Sequence, residues 1–167
     1  MNHIKKFLFG LLIAVVSIGA QATALSDKWE NNLIDGIFRG QTVTFPATIY
    51  VGLTTDACTD SALGTEPSGN AYARVAVTSS LANWAGTQAA ASTTASTGTS
   101  GTTSNNAVIT FPTSTGAWGT VVAVRFYDAP TAGNMIACIA LTSSLNVSAS
   151  GFTPSFPAGS LTFQIDN

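Results

Sequence analysis

Hydrophobic and polar positions along the chain keep two different periods, and the change comes near Gly40. Before it, Leu25, Trp29, Leu33, Ile34, Ile37 and Phe38 recur at three- and four-residue spacing. That spacing lays one apolar stripe along a helix. Ser26 stands at the N-cap position, Asp27 and Glu30 fall in the first turn, and Arg39-Gly40 closes the far end. This is the order in which a helix satisfies its free N–H groups and its dipole. The pattern predicts one short N-terminal helix within residues 23–40. Its stripe must be buried against the body of the domain or against a neighbouring subunit.

After Gly40 the period falls to two. Residues 48–53, 72–78, 107–111, 121–127, 135–141, 145–148 and 161–165 are rich in β-branched and aromatic side chains, with Gly, Pro, Asn and Asp between them. Residues 128–134 (DAPTAGN) read as a hairpin turn. Roughly seven to eight short strands without helical crossovers predict an all-β fold, an antiparallel β-sandwich over residues 41–167. Residues 86–104 (GTQAAASTTASTGTSGTTS) hold no charge and no large apolar side chain. They predict a low-complexity surface loop, either simply mobile or presented at the tip of the sandwich.

The first residues stand apart from this pattern. Lys5 and Lys6 precede an uninterrupted apolar and small run over residues 7–20, and Ala20-Gln21-Ala22 follows. Basic start, apolar middle and small residues around a cut site make a secretory signal peptide over residues 1–22. The run is short for a bilayer span, and an uncleaved membrane anchor is the other reading. Cleavage would leave residues 23–167, enough for one core. The chain is then exported and extracellular, on a virion or a cell surface, and it meets a membrane only through the leader.

Charge narrows the partners. Without the leader the chain keeps Lys28, Arg39, Arg74 and Arg125 against eight acidic residues. Nucleic acid requires a basic stripe, and none is present. Anionic membrane surfaces are disfavoured for the same reason. A sparsely charged surface rich in Ser, Thr, Ala and Gly suits a chain covered by other subunits, or one solvated by hydroxyl groups. Cys58 and Cys138 form an even pair, which in an exported chain can close a disulfide. Cys138 can equally be a small buried hydrophobe in its strand.

Several stretches carry a family likeness. Residues 25–35 (LSDKWENNLID), Phe38-Arg39-Gly40 and residues 46–53 (PATIYVGL) resemble the opening of small phage proteins known as tail fibre proteins. Residues 66–74 (EPSGNAYAR), 111–119 (FPTSTGAWG) through Tyr127-Asp128, and 156–163 (FPAGSLTF) are similar to later parts of the same family. The likeness runs through residues of about 25–166 in order. It implies a virion-associated protein with a compact β fold after one short helix, and it brings no catalytic residues. Two features depart from it: a leader is unusual for a phage structural protein, and the Ser/Thr/Ala loop looks like an insertion.

A search for chemistry finds little. His3 leaves with the leader, so a mature chain has no imidazole for a Ser-His or Cys-His system or a His-ligated metal. Lys28 sits among acids in the first helical turn, a poor setting for an activated base. A glycosidase-type carboxylate pair would have to use Asp128, the one acid near a strand core. Asp56, Asp60 and Glu66 share one loop and could offer oxygens to a hard cation, or form a solvated turn. Arg74 and Arg125 each interrupt an apolar strand and either face water or pair with Asp128 or another acid. Trp84, Trp118 and Tyr127 could form a sugar-stacking platform, with Trp84 and Trp118 as surface-binding aromatics, or lie in the core.

No catalytic, cofactor-binding or metal-binding residue is assigned, and no cofactor is expected. The reading is a non-enzymatic phage virion or tail-fibre-type structural protein, homo-oligomeric and contacting other virion proteins. It takes part in attachment to a host-surface glycan or protein. The alternative is an exported bacterial cell-surface adhesin or carbohydrate-binding module of phage origin.

Overall fold

The computed structural model describes residues 25–165. Helix α1 (Asp27–Phe38) comes first. Strands β1 (Thr48–Thr54), β2 (Val75–Thr78), β3 (Thr102–Ser104), β4 (Ile109–Thr110), β5 (Gly119–Tyr127), β6 (Met135–Val147), β7 (Ser155–Phe156) and β8 (Thr162–Gln164) follow. A four-stranded sheet runs β2-β1-β5-β6, and two ribbons pair β3 with β8 and β4 with β7. Every pairing is antiparallel.

Side chains alternate across a strand, so register decides which face each residue joins. Val51 pairs with Phe126, Leu53 with Val124, and those two in turn with Ala137 and Ile139. These residues share one face of the large sheet. The ribbons cover it, bringing Ile109, Phe111, Phe156, Leu161 and Phe163 into one buried cluster with it. Aromatic rings meet edge to face across this interface, Phe126 on Phe163 at 6.2 Å and Phe111 on Phe156 at 6.1 Å, an arrangement favoured by the ring quadrupoles. The result is the antiparallel sandwich that the alternation predicts.

The intervening residues point the other way. Gly52 pairs with Arg125, and Arg125 with Cys138. Tyr50, Ala123, Tyr127, Met135 and Cys138 form the second cluster, with Cys58 packed against it. Among the described residues no strand layer covers this face; the loop between β1 and β2, residues 55–74, lies over it as a strap.

Most strand ends fall within two residues of the sequence pattern, and four departures from it are larger in kind. The strand expected over residues 72–78 starts only at Val75, because Asn70 and Ala71 take positive φ (50° and 63°) and turn the chain away from the ladder. Residues 135–141 and 145–148 are one strand, β6, with register shifts opposite Val121/Ala123 and Phe126/Tyr127. The last three residues of the low-complexity stretch form β3, and β7 arises in a segment that the alternation left as coil. The rest of that stretch is tied by hydroxyl and amide groups: Gln88 Nε2 donates to Ser92 Oγ at 2.6 Å and Thr94 Oγ1 at 2.9 Å. The signal peptide expected over residues 1–22 lies outside the described residues. Among the described residues, no helix is long and apolar enough to cross a membrane.

Candidate functional site

The covered polar face of the sheet gathers most of the residues that the sequence singles out. A loop has no ladder for its own carbonyl groups, and buried carbonyls need donors. Arg125 and Tyr127 supply them. Arg125, 1% exposed in the middle of β5, sends Nη1 to Ala62 O at 2.7 Å and Nη2 to Ala57 O at 2.8 Å. Asp56 Oδ1 lies 3.4 Å from the same Nη2. Tyr127 Oη donates to Leu63 O at 2.6 Å. Gly64 makes room for this, at φ +78°, since a Cβ there would fall on the Arg125 guanidinium. The Cys58–Cys138 disulfide fastens the same loop to β6.

Arg74 closes the other end. Its Nε and Nη2 bond both Glu66 carboxylate oxygens, at 3.0 Å and 2.6 Å to Oε2 and 3.1 Å to Oε1. Its Nη1 donates to Ala129 O at 2.7 Å and Ala132 O at 2.9 Å. The guanidinium carbon sits 3.4 Å over the Tyr127 ring, a cation–π contact. Tyr72 Oη donates to Glu66 Oε1 at 2.6 Å and accepts the Leu53 N–H at 2.8 Å. The phenol thus occupies the β1 edge just where β2 has ended. Gly52 leaves the space that this cluster fills: a Cβ there would meet Glu66 Oε1 at 2.7 Å and Tyr127 Cε2 at 2.8 Å. Burial, and then the hydrogen bond to Glu66, push the Tyr72 phenol above the usual tyrosine range. Burial, and then the Glu66 charge, do the same to Tyr127.

The candidate chemistry disperses in this geometry. Both arginines turn inward; neither faces water, and neither pairs with Asp128. Asp128 instead accepts the Asn134 N–H and side-chain amide, both at 2.7 Å, and closes the β5–β6 hairpin. Glu66 is held by Arg74 and Tyr72, while Asp56 accepts the Thr65 N–H at 3.0 Å. Among the described residues no group of three acids, cysteines or histidines could hold a metal ion. Trp118 is 5% exposed and donates Nε1 to Asn70 O at 2.9 Å. Trp84 is half-buried, edge to face with Phe126 at 5.5 Å. With Tyr127 fully buried, the three rings do not come together as an open platform. Tyr72, Gly52 and Gly64 were not singled out from the sequence. Glu66 and Arg74 flanking the Gly69-Asn70 turn are the signal that could have pointed to this cluster.

The second notable surface is α1. Ser26 does not cap the helix through its side chain. Its Oγ donates to Met135 O at 2.5 Å, and its N–H to Ile136 O at 2.9 Å. Leu25 bridges Ala137 on the edge of β6. The Asp27 N–H reaches Asp60 O in the strap loop. The helix is therefore fixed at its start. Trp29 is buried and stacks on Phe45 at 5.8 Å. Leu33 is half-buried, and Ile34 (50%), Ile37 (68%) and Phe38 (79%) turn out to solvent, as does Phe45 beyond the helix (64%).

Beside this helix start lies a shallow depression of ≈ 220 Å³ lined by Ser26, Asp27, Lys28, Asp60, Leu63 and Asn134, among others. In comparison with known families, residues 24–164 match the family described as Podophage GP4 fiber I protein gp80. No curated protein matches the chain.

Proposed function

The chain belongs to the Podophage GP4 fiber I protein gp80 family, and from that premise we propose that it is a non-enzymatic structural subunit of a phage fibre. It self-associates, contacts other virion proteins and contributes to attachment at the host surface. The observation that carries this reading is the outward apolar face of α1, built from Ile34, Ile37 and Phe38. Contiguous exposed apolar side chains on a sparsely charged chain mark a surface made to be covered. The polar side chains that might have done chemistry are engaged inside, holding a loop to a sheet.

The reading is tested on particles. Gold-labelled antibodies against residues 86–101 should decorate the fibres, and the full chain added to host cells should slow adsorption in proportion to its concentration. Particles that carry no label and whose protein content lacks the chain would contradict it.

A further inference from the structure

We propose that α1 is a two-fold contact between copies of this chain, with the two helices antiparallel and Ile34 near the dyad. The inference rests on the self-association reading and names the surface and its geometry. At about 100° per residue, Asp27, Glu30, Ile34, Ile37 and Phe38 fall on one side of α1. Lys28, Asp35 and Arg39 border that side next to Phe38. Any covering partner must bury three large apolar side chains and answer the carboxylates of Asp27 and Glu30.

A lipid surface fits poorly, because interfacial helices border their apolar face with Lys and Arg. The chain's own sheet is already covered on both faces by the ribbons and the strap loop. Charge selects a second copy. Among the described residues the basic side chains are Lys28, Arg39, Arg74 and Arg125. Arg74 and Arg125 are buried, with side chains 5% and 0% exposed. The exposed cations thus both belong to this helix, Lys28 within α1 and Arg39 as its C-cap.

Helix geometry then sets the orientation. Asp27 lies about 10 Å from Ile34 along the axis, and Arg39 about 8 Å on the other side, at 1.5 Å per residue. An antiparallel pair centred on Ile34 brings Asp27 of each copy alongside Arg39 of the other. It also opposes the two helix dipoles. A parallel arrangement would instead stack Asp27 on Asp27 and Glu30 on Glu30. Arg39 is free to take part: its bond to Asp35, 2.8 Å long, is an exposed pair within one helix, a weak kind of ion pair.

Crosslinking of the full chain tests this. The native cysteines are already bonded to each other, so an added thiol reports on contacts between copies. Under mild oxidation Ile34→Cys should give a disulfide-linked dimer. Lys28→Cys should not, because its two copies would stand about 18 Å apart along the axis. Asp27→Arg and Arg39→Asp should each weaken association about tenfold, and the double variant should restore it. Equal crosslinking at both positions, or a double variant weaker than either single one, would overturn the antiparallel contact. An oligomeric wild type without the Ile34→Cys link would overturn the interface and leave self-association standing. A wild type that stays monomeric and uncrosslinked would overturn both.

Discussion

The two faces of the four-stranded sheet are made from the same strands by alternate residues, yet they are held in different ways. One face, with Val51, Leu53, Val124, Phe126, Ala137 and Ile139, meets two ribbons whose short ladders pair with each other. The carbonyls that those ladders leave open are met within the ribbon layer itself, where buried Asn105 donates to Phe156 O and Pro157 O and accepts the Leu161 N–H, while the strands of the sheet contribute apolar side chains and dispersion. The other face meets an irregular loop whose carbonyl groups have no ladder. Arg125 and Tyr127 therefore stand where aliphatic residues would otherwise be, and they donate to Ala57, Ala62 and Leu63, while Arg74, from the loop itself, donates to Ala129 and Ala132 in the β5–β6 turn. Buried charge in this chain follows from what covers the sheet.

Substitutions on each face can break the comparison. Phe126→Ala removes a ring touching Trp84 and Phe163, and should cost about 4 kcal/mol in denaturant unfolding. The strap should remain protected from hydrogen exchange in whatever fraction stays folded. Reducing the disulfide, or making Cys58→Ser, opens a link across 80 residues of chain and should cost about 3 kcal/mol. Here the exchange should rise first in residues 55–65 and at the Asp27 amide, while the ribbon face stays protected. Arg125→Met should cost about 2 kcal/mol, since the Ala57 and Ala62 carbonyls lose their donor. Gly64→Ala attacks the same seat, so the pair should cost less together than the sum of the single variants.

Tyr127→Phe removes one hydrogen bond and should cost about 1 kcal/mol. The tyrosines also give the fold a pH dependence, Tyr127 on the strap face and Tyr72 at its border, where the ring packs against Phe111 and Trp118 of the ribbon-side core. Their phenols hold protons to a higher pH in the fold than in the unfolded chain. Stability is therefore full below the ordinary tyrosine value of about 10 and falls as pH rises beyond it. Replacing both Tyr72 and Tyr127 by Phe should flatten that alkaline loss in thermal melts taken across the range. A melt profile unchanged by the double substitution would place the sensitivity elsewhere.

The apolar face was legible from the sequence because alternation carries it: residues 121–127 and 135–141 give their inward sets directly. Helix α1 was legible too, down to the uncertainty about what its stripe meets. The strap face was not. Alternation says that Arg125 opposes Val124, but it cannot say that a loop some sixty residues earlier returns to bind it. Tyr72 was misread as strand for a related reason. Its side chain, and not its backbone, takes the place beside Leu53, and propensity is blind to that exchange. The ribbons were harder still, since two- and three-residue strands such as β7 and β3 leave no periodic trace. Trp118 and Trp84 were named as surface aromatics alongside the core reading, and composition alone could not choose between the two.

On the proposed reading the interior absorbs the chain's polar side chains and leaves the outward face of α1 for assembly. Sedimentation velocity on the oxidised full chain, compared with an Ile37→Glu/Phe38→Glu variant, puts this to the test. A concentration-dependent oligomer is expected for the wild type, and a monomer of unchanged thermal stability for the variant. Identical sedimentation of the two proteins, whether as monomers or as oligomers, would overturn it.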